Sequence, residues 1–207
     1  MNFNTFGIVG ADGAGKSTVG RIISELLTNS ADKRRVHSLP FATDLKQMVR
    51  ELDPILGARQ IGKGVEAVRI SDLIGEGYTE QEIKDTYPEY RRVLRTLGTD
   101  CLRSRDDKFW IGRLMKRIEE LELNCDDLII IDDIRFRNEA DAACVGIDVH
   151  GRRNDGMIIR VEGRGGEVGP GEQHGQIISD YTIRNVGSIE STVDQVKEML
   201  TLWGFKL

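Results

Sequence analysis

Apolar residues recur along this chain in two rhythms that alternate: short unbroken runs, and stripes at helical spacing. Thr5–Val9 reads as a short buried strand. Val19, Ile22, Ile23, Leu26 and Leu27 then return every three or four positions, the spacing of one helix face. Val36–Leu39 predicts a second strand ending at Pro40. Leu128–Ile131 is an uninterrupted apolar run followed by Asp132 and Asp133, and such runs suit a parallel strand buried on both faces. Ile158–Val161 and the weaker Tyr181–Ile183 are two further strand candidates. A last helix is expected from Ser188, a good N-cap with Glu190 in the first turn, and Val193, Val196, Leu200 and Trp203 form its apolar stripe. Strands alternating with helices predict a parallel sheet in an α/β layer fold. In such folds ligands sit beyond the carboxyl ends of the strands.

Two segments break the rhythm. Residues from about Asp53 to Tyr87 read as an inserted, mostly helical excursion, and the whole insertion is expected over about 53–100. Residues Gly151–Gly175, with "GRRNDG" and "EGRGGEVGPGEQHG", are rich in glycine and arginine and read as a mobile surface loop.

Composition narrows the function classes. A chain of 207 residues is long enough for one domain with a real core. The net charge of −5 argues against a general nucleic-acid or membrane-surface binder. No apolar stretch is long enough to span a membrane, and the start lacks the basic flank and apolar run of a signal peptide. Cys101, Cys125 and Cys144 are scattered without a Cys-x-x-Cys spacing, which suits reduced thiols in a cytoplasmic protein.

The candidate chemistry begins at "IVGADGAGKSTVG", Ile8 to Gly20, whose Gly10-x-x-x-x-Gly15-Lys16-Ser17 spacing is that of a phosphate-binding loop. Glycines let the backbone wrap an anion with its N–H groups, and the following helix adds the positive end of its dipole. Lys16 is expected on the β/γ-phosphates and the Ser17 hydroxyl on Mg²⁺. In "PEYRRVLRTLGTDCLR", Pro88 suits the first position of a helix, and Tyr90, Val93, Leu94 and Leu97 make its buried face. Arg91 and Arg95 fall one turn apart beside that face. An anion between them would make a clamp, and the alternative is a solvated basic face paired with Glu89 or Asp100. In "IIIDDIRFRNEADAA", Asp133 sits where a carboxylate can support Mg²⁺ or its waters, and Arg135 and Arg137 follow at once. Arg152, Arg153, Arg160 and Arg164 lie in the glycine-rich segment, which is expected to act as a lid over about 151–176, although Arg160 also falls in a candidate strand. His174 has no neighbouring cysteine or histidine in sequence, so a metal site there is not expected.

"GADGAGKST", "PFATDLK", "YRRVLRTLGTDCLR", "FW", "IDDIRFRNEADAA", "EQH" and "DYTIRNVGS" occur in the order seen in bacteriophage-type deoxynucleoside monophosphate kinases, and the chain resembles that family over most of its length. The resemblance implies a nucleoside monophosphate kinase-like three-layer α/β fold with a helical substrate-binding insertion and a lid loop. It implies transfer of the γ-phosphoryl of ATP to a deoxynucleoside monophosphate, with Mg²⁺, in the cytoplasm (the host's, if phage-encoded). Carried over by position, Gly13, Ala14, Gly15, Lys16, Ser17 and Thr18 would bind the ATP phosphates, and Asn185 and Gly187 would lie near the adenine. Asp12, Phe41, Ala42, Lys46, Arg91, Arg95, Asp133, Arg135 and Glu139 would line the acceptor side. Lys16, Arg91, Arg135 and Arg164 would act on the transferred charge, and Ser17 and Asp133 would serve Mg²⁺. No direct nucleic-acid or membrane partner is implied, and the inserted segment is a candidate homodimer contact.

The sequence departs from the family where "HGQIISDY" follows His174 and where arginine, not glutamine, stands at position 95. Two other readings stay open: another small-molecule kinase with the same loop, such as a dephospho-coenzyme-A kinase, and a non-catalytic ATP-binding switch. A GTPase is disfavoured by the lack of an Asn/Thr-Lys-x-Asp motif.

Overall fold

The computed structural model describes residues 3–30, 33–124, 126–145, 148–149, 152–153, 155–163, 165 and 172–207. In chain order they form β1 (Phe3–Val9), α1 (Lys16–Thr28), β2 (Val36–Ser38), α2 (Ala42–Leu52), β3 (Ile55–Ile61), β4 (Gly64–Arg69), α3 (Ile70–Gly75), α4 (Glu80–Thr86) and α5 (Pro88–Arg95). A π-helix (Thr96–Arg103), α6 (Phe109–Glu119), β5 (Leu128–Ile134), α7 (Arg137–Cys144), β6 (Asp148–Val149), β7 (Arg152–Arg153), β8 (Asp155–Gly163), a 3-10 turn (His174–Gln176), β9 (Tyr181–Asn185) and α8 (Ile189–Leu202) complete the order. The chain divides into two compact units, residues 1–41 with 114–207, and residues 42–113.

The first unit carries the expected parallel sheet. Its order is β2-β5-β1-β8-β9, and every pairing is parallel. The apolar runs supply its centre, where Phe6, Ile8, Ile130, Ile159 and Val161 are buried. Val19, Ile23 and Leu27 of α1 and Val196, Met199 and Leu200 of α8 share one apolar cluster with them, so the helical stripes bury the faces that their spacing marks. Around the end of α8, Trp203 stacks on Phe6 with ring centroids 5.7 Å apart.

Three boundaries differ from the sequence expectation. First, β5 continues through Asp132 and Asp133 to Ile134, with Ile134 in register with Val9. The two carboxylates are tolerated because they lie at the ligand end of the sheet, where Asp133 Oδ1 accepts the Phe41 N–H at 2.8 Å. Second, β8 runs from Asp155 to Gly163 between β1 and β9, so the segment 151–176 is not one lid. Arg152 and Arg153 form β7, which pairs with β6. Arg160 lies within β8, and its guanidinium donates to the His174 and Ile177 carbonyls, a structural tie. Arg164 lies outside the described residues. Third, the excursion after Asp53 opens with an antiparallel hairpin, β3 with β4, where helix was expected. Most of its side chains are exposed, so it shows no clean alternation of apolar and polar positions.

The second unit has its own core. Val49, Leu56, Val68, Ile70, Leu73, Ile83 and Tyr90 are buried together, and Val93, Leu94 and Leu97 pack on them. Pro88 stands at the first position of α5 as its fixed φ favours. The following eight residues form a π-helix, a rare geometry that often marks functional segments. Trp110 Nε1 donates to the Gly98 carbonyl inside it at 3.0 Å.

Asp127 joins the starts of β2 and β5. Arg35 Nε donates to its Oδ1 at 3.0 Å, the Asn124 N–H donates at 2.9 Å, and His37 Nε2 lies 3.3 Å away. Burial alone would raise its pKa, but the Arg35 guanidinium, the Asn124 amide and His37 outweigh burial and hold the carboxyl below its usual range. A depressed carboxyl stabilises the fold above its unfolded pKa of about 4 and loses that contribution as pH falls through the folded value. Asp127→Asn is therefore expected to cost about 1.5–3 kcal/mol near neutral pH. In urea melts across pH the gap between wild type and variant should narrow below about pH 4.

Candidate phosphate-binding site

The loop between β1 and α1 turns through Gly13 and Gly15, whose φ angles of 74° and 97° lie in the left-handed region. Gly15 is the N-cap of α1 and makes no side-chain cap hydrogen bond, so the first N–H groups of this 13-residue helix have no capping side chain there. Lys16 folds back along the loop, and its ammonium donates to the Gly10 and Ala11 carbonyls, both at 2.8 Å. The Ala14 N–H donates to the Ala11 carbonyl at 3.2 Å and closes the turn. Ser17 is exposed and Thr18 half-buried in the first helical turn.

Two strand ends press against this loop. A Cβ on Gly163, the last residue of β8, would lie 2.3 Å from the Ala14 carbonyl oxygen, so only glycine fits that approach. From the end of β9, Asn185 Nδ2 donates to the same Ala14 carbonyl at 3.0 Å. The buried Thr192 hydroxyl donates to Asn185 Oδ1 at 3.0 Å and fixes the amide's orientation. Asn185 was expected near the adenine. In the structure its side chain braces the phosphate loop, and Thr192, absent from the sequence reading, holds it there. A hydroxyl at helix position four after an N-cap serine is a weak signal by itself. Gly187 lies in the turn that leads to α8.

Charge gathers at the same end of the sheet. Asp12, Asp133 and Glu172 raise the Lys16 pKa, while burial, the largest influence, and Arg135 lower it, and the net direction is down. Arg135 pairs with Glu172 and also feels Asp133 and Asp12. Burial lowers its pKa and these anions raise it, with a net rise. The first unit thus brings together Asp12, Lys16, Asp133 and Arg135, four residues expected at the site. Glu172 joins them as a carboxylate that sequence reasoning passed over, because the glycine-rich segment around it gave no register.

The other expected residues have the following surroundings. Glu139 is 3% exposed, and its carboxylate accepts the Arg135 and Phe136 N–H groups at 2.9 and 3.2 Å, so it caps α7. The Phe41 ring is buried. Ala42, Lys46, Arg91 and Arg95 belong to the second unit. There Ala42 opens α2, and Lys46 Nζ lies 3.1 Å from Glu80 Oε1. Arg91 Nε donates to the Lys84 carbonyl at 3.1 Å, and Arg91 Nη2 to Asp85 at 3.1 Å. Glu89, one expected partner of that basic face, is instead taken by Arg92 through two bonds of 2.6 and 2.7 Å. Arg95 is exposed in the last turn of α5.

Mg²⁺ takes hard oxygen ligands, usually one or two from protein with the rest from phosphates and water. The Ser17 hydroxyl and the Asp133 carboxylate are such donors. Among the described residues no group of three or more His, Cys, Asp and Glu could hold a metal on protein ligands alone. The exposed thiols Cys101 and Cys144 are free. No helix among the described residues is long and apolar enough to cross a membrane.

No family model matches the sequence, and no curated protein matches it. Among solved structures, the chain is similar to a cysteine-to-alanine mutant of the APS kinase CysC from Mycobacterium tuberculosis. That match has a TM-score of 0.43 at 13% identity and covers 97% of this chain and 98% of that one. It is also similar to TT1252 from Thermus thermophilus, with a TM-score of 0.44 at 13% identity over 99% of this chain and 100% of that one. At these scores neither likeness bears on function, which rests on the residues of the site.

The brace on the loop is testable. Asn185→Ala and Thr192→Val should each weaken ATP binding about tenfold by calorimetry, the equivalent of one hydrogen bond lost from a preorganised loop. Together the two changes should cost little more than either alone, because they break one chain of bonds.

Proposed function

We propose that this protein is an ATP-dependent phosphotransferase acting on deoxynucleoside monophosphates. The single observation that carries the nucleotide half is the loop at the end of β1. Its glycines hold left-handed φ angles, its lysine lies on the loop, and an uncapped 13-residue helix follows. The acceptor half rests on the sequence resemblance and on Arg91 and Arg95, one turn apart on α5.

In this reading the loop's N–H groups and Lys16 hold the β- and γ-phosphates of ATP. Bound Mg²⁺ supplies charge neutralisation across those phosphates, and Ser17 and Asp133 are the residues that would hold it. Arg91 holds the acceptor's 5′-phosphate, with Arg95 beside it and Lys46 and Ala42 toward the nucleoside. An ionised oxygen of that phosphate attacks the γ-phosphorus, the bond to the β–γ bridging oxygen breaks, and ADP leaves. No general base is required, since the attacking oxygen carries no proton near neutral pH. Catalysis is then positioning plus electrostatic stabilisation by Lys16, Arg135 and Arg164. Arg135 must exchange its Glu172 partner for phosphate as the charge develops. A homodimer through the second unit belongs to the same proposal.

ADP release should require both ATP and a deoxynucleoside monophosphate in a panel of the four common bases beside their ribonucleotides. Release independent of any acceptor, or none with the whole panel, would overturn the assignment. Lys16→Ala should lower kcat at least about 100-fold with an unchanged melting temperature. Arg91→Ala should raise the KM of the monophosphate about tenfold or more and leave that of ATP within twofold.

A further inference from the structure

The 3-10 turn after the glycine-rich segment holds a side chain that the mechanism above does not use. His174 is 6% exposed, and neither ring nitrogen has a hydrogen-bond partner among the described residues. A buried polar group left unpaired is costly, so its retention calls for an explanation.

Its position is tightly specified. Glu172 pairs with Arg135, the Gln173 N–H donates to the Arg135 carbonyl at 2.9 Å, and the Arg137 N–H donates to Gln173 Oε1 at 3.2 Å. On the other side Arg160 Nη2 donates to the His174 carbonyl at 3.1 Å. The turn is therefore strapped between the end of β5 and the middle of β8. The imidazole lies in the field of Lys16, Arg160 and Arg135, with Glu172 as the opposing charge. Burial and these cations hold it below its usual pKa, against Glu172, and so favour the neutral ring with one N–H to donate. A ring with an unused donor, strapped between Arg135 and Arg160 and within the field of Lys16, is suited to a phosphate oxygen.

We propose that His174 is a phosphate-contacting residue whose imidazole N–H donates to the terminal phosphate of a triphosphate held by the Lys16 loop. This rests on the reading of that loop as a triphosphate site, and it assigns the histidine to the donor nucleotide. The strap then has two tasks: Glu172 occupies Arg135 until phosphate competes for it, and His174 meets the phosphate that does so.

The test uses the full chain, ¹⁵N-labelled on histidine, titrated with inorganic tripolyphosphate. Long-range ¹H–¹⁵N spectra resolve the three imidazoles, and His174→Asn assigns the resonance. The His174 N–H nitrogen should shift and saturate with the dissociation constant measured by calorimetry. His174→Phe, which keeps the bulk and removes the donor, should bind tripolyphosphate about tenfold more weakly at an unchanged melting temperature. Should that variant fail to fold, the wild-type titration still decides. Tripolyphosphate binding that depends on Lys16 but leaves the His174 resonance unmoved would overturn the assignment and spare the loop. Absence of tripolyphosphate binding by the wild type would overturn the loop reading and this inference with it.

Discussion

Backbone must pack directly on backbone around the loop that follows β1, and the rest of the first unit accommodates that constraint. The loop can present its N–H groups to an anion only by turning through left-handed φ angles, and it can hold that shape only if its neighbours come close. β8 does so with a glycine at its last position, where any Cβ would strike the Ala14 carbonyl. β9 does so with an asparagine whose amide takes that carbonyl as a hydrogen bond. The Ala14 oxygen is thereby held by Asn185. The order β5-β1-β8-β9 is what brings these ends together, so sheet topology and the phosphate site form one design.

The electrostatic arrangement follows from the same geometry. Parallel strands end on one side, so Asp133 and Arg135 from the end of β5 meet Asp12 and Lys16 from the loop after β1. The opposite charges are near balance before any ligand binds, with Glu172 completing Arg135 and Asp133 completing the Phe41 amide. Under the proposed function, a phosphate entering this cluster would exchange one set of partners for another and need not desolvate bare charges. That exchange would lower the reorganisation needed during the proposed transfer, the condition under which fixed dipoles and cations are most effective.

Much of this was legible in the sequence. The apolar runs marked the strands of the main sheet, and the glycine spacing placed the loop on strand then helix. Asp133 and Arg135 were recognisable because they stand at the end of a buried apolar run, and Lys16 because the glycine spacing Gly10-x-x-x-x-Gly15 precedes it. The hairpin Ile55–Arg69 was not legible, since only Leu56 and Val68 of its two strands are buried and two positions make no alternation to read. Glu139 was placed on the acceptor side by the resemblance alone, and its capping bonds to the Arg135 and Phe136 N–H groups become visible only in the fold. His174 and Thr192 were beyond reach: one is a lone histidine and the other a lone threonine until folding straps the first to Arg160 and bonds the second to Asn185. Among the residues from 151 to 176, glycine content suggested mobility where β8 is in fact an inner strand of the sheet, because glycine also permits close strand and loop contacts.

The central claim is that the loop presents a γ-phosphoryl group for transfer to a second phosphate. The most direct measurement follows a γ-labelled ATP phosphate in the presence of Mg²⁺ and each deoxynucleoside monophosphate in turn. Under the proposed function the label appears in a deoxynucleoside diphosphate in equal amount to the ADP formed. Label found only in inorganic phosphate, or left in ATP with every acceptor, would contradict it.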